Sequence, residues 1–358
     1  MYFLTIPFRY SAANIRPNDM LAGMPAMSAI AGMAHNVERL VRQQLEIPSF
    51  TGLAFSLVYF NLDRDTASPR RPPEGLGGGS DMKLPALMDI RRAHGEASLI
   101  LSFDFTEPED LELFTGMTSG SEGLGQLESV LSASLRFAGG EIFIGLPGEF
   151  GNSALNLGVQ QSWSDVLGQL QKAYPTQGLL IQDKSELVTA TARELSLSSL
   201  EAMVELTYQS KLALKSNPKQ SPAAAASAKT VASDLAAAIL EEDSLDLDDL
   251  DLLDLDDTAP AFDESAEAPS EDLDGQAPYL GVLMPCAVGF HEVCAGHAGE
   301  GSYPHVYVES VLSLVRARSI ASVKRDIRQD REPWQAHFWR WEHLPTHRIY
   351  RAVRHFSK

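Results

Sequence analysis

The stretch ASLILSFDF, residues 97–105, alternates apolar and polar side chains with a period of two, which is typical of a β-strand. One face of this strand carries Ala97, Leu99, Leu101, Phe103 and Phe105. The other face carries Ser98, Ile100, Ser102 and Asp104. A strand with this pattern packs one face on a core and pairs with neighbouring strands, so the flanking sequence decides the fold.

The sequence before this strand predicts a strand, a helix and a second strand. Residues 2–10 and 50–61 are short apolar and aromatic runs of the strand type. Between them, apolar residues recur at helical spacing: Ile30, Met33, Val37, Leu40, Val41 and Leu45. Strand, helix, strand, strand is the opening of a ferredoxin-like unit.

The sequence after it predicts the second half of that unit. Leucine and valine residues at 124–135 indicate a helix that ends before Gly139 and Gly140, and residues 141–146 indicate a strand. A further helix is predicted around residues 163–170 and a strand at 178–182. Ser198 and Glu201 have the spacing of a capping box at the start of another helix.

The composition changes completely between residues 217 and 275. An alanine-rich stretch, with a possible short helix at 223–240, leads into EEDSLDLDDLDLLDLDD, residues 241–257. Residues 241–275 hold 16 acidic side chains and no Lys or Arg, so this segment accounts for most of the formal net charge of −19. Such sequence buries too little apolar surface to offset its ordering entropy, and we predict a disordered insert.

The chain after the insert is basic. Residues 301–358 contain 11 Lys and Arg against 5 Asp and Glu, and they follow a strand-like run at 279–293. We therefore predict an α+β chain in three parts: a ferredoxin-like body at 1–216, the disordered Ala-rich and acidic insert at 217–275, and C-terminal strands with a basic aromatic block at 276–358 that complete the fold. A basic region beside an acidic one indicates a nucleic-acid contact and a separate polyanionic segment.

Two small motifs are candidates for ligand binding. The glycine-rich loop RRPPEGLGGGSDMK, residues 70–83, lacks a Gly-Lys-Ser/Thr ending, which favours a flexible loop over a phosphate-binding P-loop. Cys286, His291, Cys294 and His297 form a Cys-x4-His-x2-Cys-x2-His array, but its spacing lacks the Cys-x2-Cys pair of zinc sites. Buried thiols and loop histidines are the favoured interpretation, and we predict neither a metal nor a cofactor.

The remaining composition points to a reducing compartment. The chain has two cysteines, no positively charged leader and no apolar run of membrane-spanning length, so we expect a cytoplasmic protein. No Gly-x-Ser-x-Gly motif or two-metal carboxylate set stands out. His35, near the apolar side of the first predicted helix, is expected in a core or interface role.

Five segments, in order, resemble the second Csy subunit of type I-F CRISPR surveillance complexes, the Cas-five group of the RAMP superfamily. The segment 14–45 resembles its N-terminal signature, with Met24 in place of the usual phenylalanine. The other matching positions are Asn14, Gly23, Pro25, Ala26, Gly32 and His35; Arg92, Ala93 and His94; Arg136, Ala138, Gly139 and Gly140; and Leu283, Pro285, Val288, Gly289, Phe290, Val308, Glu309 and Ser310. The acidic insert lies outside the pattern.

This resemblance implies an RRM-type RAMP fold and a non-catalytic Cascade subunit. Such a subunit clamps the 5′ handle of CRISPR RNA, caps the backbone filament and pairs with the large subunit for target DNA recognition. Its partners would be CRISPR RNA, the large and backbone subunits, and target DNA in the assembled complex, with no membrane. The candidate RNA-binding residues are Arg9, Asn14, Arg16, Pro25, Arg70, Arg71, Arg91, Arg92, Arg316, Arg318, Lys324, Arg325 and Arg328.

Two alternatives remain open from the sequence. A repeat-RNA endoribonuclease of the same superfamily would need a general base, for which His35 and His94 are the candidates. A scaffold protein would use the acidic insert to dock a basic partner. The insert could also compete with RNA for residues 316–328, although a solubilising segment without a partner is the favoured interpretation.

Overall fold

The computed structural model describes residues 1–16, 23–46, 50–64, 91–105, 107–117, 121–215, 282–295, 306–329 and 331–355. The strands are β1 (Tyr2–Asn14), β2 (Phe50–Arg64), β3 (Arg92–Phe105), β4 (Glu141–Ile144), β5 (Gly158–Gln160), β6 (Leu179–Asp183), β7 (Val282–Ala295), β8 (Val306–Ser319), β9 (Trp339–Leu344) and β10 (Ile349–Arg354). The helices are α1 (Met27–Leu45), α2 (Pro108–Thr115), α3 (Glu122–Ser134), α4 (Trp163–Ala173), α5 (Ser185–Leu195), α6 (Ser199–Lys215) and α7 (Ile320–Arg328).

The first half of the sheet has the strand order β4-β1-β3-β2, and every neighbouring pair is antiparallel. Helix α1 connects β1 to β2, and α2 and α3 lie between β3 and β4. The predicted succession of strand, helix, strand, strand, helix and strand is confirmed, with α2 added. Strand β3 lies in the middle of this group because both of its edges pair along most of their length.

The C-terminal strands continue the same sheet. Its order beyond β2 is β6-β8-β7-β10-β9, and β9 returns to β2 at one position, where Trp339 pairs with Phe55. The Trp339 indole Nε1–H donates to the Ile181 carbonyl at 2.9 Å, which ties β9 to β6 as well. The described residues on the two sides of the acidic segment therefore share one sheet.

Apolar residues cover both faces of this sheet. One face carries the largest core, in which α1 buries Met27, Ile30, Ala31, Met33, Ala34, Val37, Leu40 and Val41. The opposite face carries a second core beneath α4, α7 and the 3-10 turn Trp334–His337. Phe3, Ile100 and Phe338 are members of this second core, so the sheet lies between two layers of helices.

Local signals account for much of the helix layout. The predicted capping box is present, since Glu201 N–H donates to Ser198 Oγ at 3.3 Å and Ser198 N–H donates to Glu201 at 2.7 Å. The sequence prediction missed α2, α5 and α7, which are short and polar on one side. The helix predicted at 124–135 is present as α3, which ends at Ser134, before Gly139.

The prediction of a core role for His35 is wrong, whereas an interface role stays a prediction. Its side chain is 79% exposed and pairs with Glu38 at 3.0 Å on the outer side of α1. The position is one residue away from the buried Ala34, and a step of one residue turns about 100° around a helix. In the part of the chain that the structure describes, no helix combines the length and apolar character needed to cross a membrane.

Candidate nucleic-acid interface

Strand β3 changes from buried to exposed along one of its faces. Ser102, Ile100 and Ser98 are buried under the second core, Glu96 is half-buried, and His94 is exposed, as is Arg92 beyond it. Alternate residues of a strand share a face, so the exposure of these six side chains shows where the helices that cover this face end. The face has a covered end, at Ser98–Ser102, and an open end, at Arg92–Glu96.

Two rows of polar side chains cross the sheet at its open end. The first row joins Phe143 of β4, Arg9 of β1, Glu96 of β3 and Asn61 of β2, which are successive cross-strand partners. The second row joins Glu141, Ser11, His94 and Asp63. We call these eight residues the open face. Six of them, together with Tyr10 and Gly95, line a cavity of about 540 Å³: Arg9, Asn61, Asp63, His94, Glu96 and Phe143.

The strands at this level are shaped by two β-bulges around Gly95. The register of β1 shifts between Tyr10 and Ala13, and that of β2 shifts between Tyr59 and Asn61. A Cβ atom at Gly95 would lie 2.2 Å from the Asn61 carbonyl oxygen, so only glycine fits where the chains approach. Bulges of this kind are common beside functional sites because they redirect side chains.

Tyr174, which follows α4, lies at the boundary between the covered end and the open end of the face. Its ring stacks on Phe60 with a centroid distance of 4.1 Å, and its hydroxyl donates to Glu96 at 3.1 Å. Burial and the neighbouring Glu96 carboxylate raise the pKa of Tyr174 above its ordinary value, so the phenol stays a donor. One oxygen of Glu96 is thereby held in place at the floor of the open face.

His94 is held at this site by contacts to its Nδ1 atom. Its Nδ1 atom accepts from the Ala12 backbone N–H at 3.4 Å and lies 3.1 Å from Ser11 Oγ. Because Nδ1 acts as an acceptor, the proton of the neutral ring is assigned to Nε2. Ala12 has a φ of 59°, so the bulged backbone is held in the left-handed region where it meets His94.

A basic rim lies at the ends of β1 and β3, next to the open face. Asn14 pairs with Arg92 across the two strands, and Ile15 N–H donates to the Arg91 carbonyl at 3.1 Å. Asn14 Oδ1 accepts from Arg16 N–H at 2.9 Å, which orders the chain after β1. We define the basic rim by Asn14, Arg16, Arg91, Arg92 and Arg136.

Arg136 joins the rim through the turn after α3. The Asn14 N–H donates to the Ala138 carbonyl at 3.0 Å, and a cavity of about 300 Å³ is lined by Asn14, Ala26, Ala29, Arg136, Ala138 and Gly139. Ala26 and Ala29 belong to the start of α1, so this helix N-terminus faces the rim. Pro25, which the sequence favoured as a contact, is buried, and its carbonyl faces the Cys286 thiol at 3.9 Å.

A second group of basic residues lies on α7. Lys324, Arg325 and Arg328 line a cavity of about 240 Å³ together with Gln171 of α4, and Lys324 donates to Gln171 at 2.9 Å. We call these three residues the α7 patch. Both α4 and α7 cover the same sheet face that is open beside Glu96, so the patch and the open face lie on one side of the sheet.

Arg316 and Arg318 differ from the other candidates because they take part in an internal network. Arg318 is 10% exposed and contacts Glu332 at 2.6 Å as well as Asp326. Arg316 donates to Gln182 at 2.9 Å, and burial lowers the pKa of its guanidinium. The structure thus places these two side chains among partners within the fold, apart from the exposed rim and patch.

Some predicted features lie outside the described residues. Arg70, Arg71, the acidic insert and its possible short helix at 223–240 are among them, as are His297 and the side chain of Cys294. Cys286 is buried in β7, where burial raises the pKa of its thiol to about 12. Val288 is buried in the same core cluster as Cys286, Leu283 is buried in a different cluster, and Phe290 is only partly buried.

Sequence reasoning missed seven side chains of the open face and the basic rim: Ser11, Asn61, Asp63, Glu96, Arg136, Glu141 and Phe143. Arg136 lies in the segment LRFAGGEIF that carried part of the resemblance, and Phe143 follows it in β4. The period-two alternation of β4 would have placed Phe143 on the face of the sheet opposite to that of the buried Ile142. Nothing local in the sequence marks Asp63 and Glu96, because their proximity depends on the β2–β3 register.

Comparison with known proteins gives the family of the chain. A search of curated proteins gave no match. The family model described as "CRISPR-associated protein (Cas_Csy2)" matches residues 7–352, which include the open face, the basic rim and the α7 patch. With nearly its whole length matched, this chain belongs to the Cas_Csy2 family of CRISPR-associated proteins.

Proposed function

We propose that this chain is the non-catalytic CRISPR RNA-binding subunit of a type I-F Cascade. It clamps the 5′ handle of the RNA, caps the backbone filament and pairs with the large subunit for target DNA recognition. Membership of the Cas_Csy2 family supports a place in a multi-subunit CRISPR complex. The strand order β4-β1-β3-β2 with its two crossovers supports a ferredoxin-like, RAMP-type body.

The observation that carries this proposal is the open end of the sheet with the basic rim above it. RRM-type sheets bind single-stranded RNA by stacking bases on exposed aromatic residues, while arginines and lysines hold the phosphates. Here the covered end of the face is filled by α4, α7 and Phe338. The open face is where side chains of both kinds, Phe143 and Arg9, lie next to each other.

The histidine geometry supports binding over RNA cleavage. A general base needs an unprotonated nitrogen directed at the ribose 2′-hydroxyl. The nitrogen of His94 that accepts hydrogen bonds, Nδ1, already faces the Ala12 amide. His35 lies on the outer side of α1 beside Glu38, on the helix that covers the opposite face of the sheet.

The experiment is a titration of the purified full chain with guide RNA, comparing wild type with an Arg91→Ala/Arg92→Ala variant. Both side chains are exposed, so the fold is retained while two phosphate contacts are lost. We expect the affinity to fall by at least about tenfold. The matched control is Arg39→Ala/Arg193→Ala, which removes two exposed arginines from α1 and α5.

Equal losses in both double variants would contradict a localised rim and indicate a diffuse charge effect. Specific cleavage of repeat RNA by the wild-type chain, abolished by His94→Ala or His35→Ala, would overturn the non-catalytic role in favour of an endoribonuclease.

A further inference from the structure

We propose that the open-face cavity holds one unstacked base of the bound RNA and prefers a base that presents N–H donors, guanine above all. This inference rests on the proposed function and adds base recognition to it. The rim would hold the backbone, and the cavity next to it would read one nucleotide.

The size and position of the cavity allow it to admit a base. Its volume of about 540 Å³ lies within the range of about 300–1,000 Å³ that is usual for pockets of drug-sized ligands, so it has room for a base. It opens on the face that carries His94 and Arg92, and the rim begins at Arg92. A nucleotide whose phosphate contacts the rim can therefore place its base over the first polar row.

Phe143 provides the stacking surface. It lies on the end strand β4, pairs with Arg9 of β1 and exposes 52% of its surface, although it is a large apolar residue. Aromatic rings exposed on a sheet are the usual platforms for unstacked bases in single-stranded RNA recognition. The neighbouring Arg9 guanidinium adds a positive charge at the edge of the same platform.

The polar lining favours a base over a phosphate. Glu96 and Asp63 place two carboxylates in the cavity against the single charge of Arg9, so an anion would be repelled. Each carboxylate is oriented by a hydrogen bond to one oxygen: Tyr174 donates to Glu96 at 3.1 Å, and the Asn61 amide donates to Asp63 at 3.1 Å. Oriented carboxylates in a cavity are acceptors for N–H groups.

These acceptors distinguish the four bases. Guanine presents the adjacent N1–H and N2–H₂ donors that match a carboxylate with two oxygens, and adenine and cytosine present one amino group. Uracil has a carbonyl oxygen on each side of its single N–H, and these oxygens would face the carboxylates. The Nε2–H assigned to His94 adds one donor for a base carbonyl.

The test measures binding of the full-length chain to oligouridines of about 12 nucleotides that carry one guanosine, adenosine, cytidine or abasic site. We expect guanosine to bind about tenfold more tightly than the abasic RNA and more tightly than unmodified oligouridine. Phe143→Ala and Asp63→Asn should each remove most of this difference. Phe143→Trp should retain it, because the ring is preserved.

Phe150→Ala is the matched control, since Phe150 is 88% exposed on the loop between β4 and β5 and lies outside the cavity lining. Equal affinity for all of the modified RNAs, or a guanosine preference that survives Phe143→Ala and Asp63→Asn, would overturn the base cavity while RNA binding itself persists. An absence of measurable affinity for every RNA would contradict the proposed function, and this inference with it.

Discussion

The covered and open ends of one sheet face are built from the same strands but serve different purposes. At Ser98, Ile100 and Ser102 the face is sealed by α4, α7 and Phe338. At Glu96, His94 and Arg92 the helices no longer cover the face, and its side chains are polar or charged and at least partly exposed. The difference shows that a sheet face can be a core at one level and an exposed polar surface two residues further along each strand.

The largest expected effect comes from removing a large side chain at the covered end. Phe338 is 1% exposed and packs against Phe3 and Trp163, so Phe338→Ala should lower the free energy of unfolding by about 3–5 kcal/mol. Phe143→Ala, at the open end, should change it by less than about 0.5 kcal/mol. Chemical denaturation measures both, and similar losses would show that the two ends do not differ as described.

A second contrast compares arginines. Arg318→Ala leaves Asp326 without this guanidinium and leaves Glu332 with the more distant Arg354, at 3.7 Å, in a largely buried position. We expect a loss of about 2–3 kcal/mol in unfolding free energy. Arg328→Ala, on the exposed α7 patch, should stay within about 0.5 kcal/mol of wild type. Chemical denaturation measures both variants. An unfolding free energy of Arg318→Ala equal to that of wild type would show that the network does not stabilise the fold.

The free energy of unfolding should depend on pH through a buried histidine at the covered end. Burial lowers the pKa of His337 to about 4, despite the opposing attraction of Glu332, whereas the unfolded chain keeps the ordinary value of about 6.5. Between these values the unfolded chain binds the extra proton, so stability falls as the pH falls through this window. The contribution of His337 should be about 2 kcal/mol smaller at pH 5 than at pH 8.

The measurement compares unfolding free energies at the two pH values for wild type and for His337→Asn, whose amide can still accept from Gln182. The variant should lack this part of the pH dependence. The same decrease in both proteins would show that other groups cause it.

The sequence predicted the covered end better than the open end. The alternation at 97–105 and the helical spacing at 30–45 depend on residues near one another in the chain, and these elements formed as predicted. The open face depends on register: Asp63 meets His94 only after the bulge in β2 shifts the β2–β3 pairing, and Arg9 meets Phe143 through the β1–β4 pairing. The long-range partners of Arg316 and Arg318 could not be predicted from the sequence either. A basic run does not reveal that Gln182 lies beside Arg316 and Glu332 beside Arg318.

The smallest expected effect concerns the acidic segment. Deletion of residues 217–275 should leave the affinity for guide RNA within about threefold, because Arg318 contacts carboxylates of the described body and Arg316 contacts Gln182. Titration at low salt measures this change. A tenfold or larger increase in affinity would indicate that the segment competes with RNA, and loss of assembly with a protein partner would favour the scaffold alternative.

The most direct test of the account is to map where RNA touches the chain. Photocrosslinking of thiouridine-labelled guide RNA to the full-length protein, followed by mass spectrometry, identifies the contacting peptides. We predict crosslinks in residues 91–96 and 141–144, which hold the rim arginines and Phe143. Crosslinks confined to α7, or to the α1 face on the other side of the sheet, would contradict the open end as the RNA site.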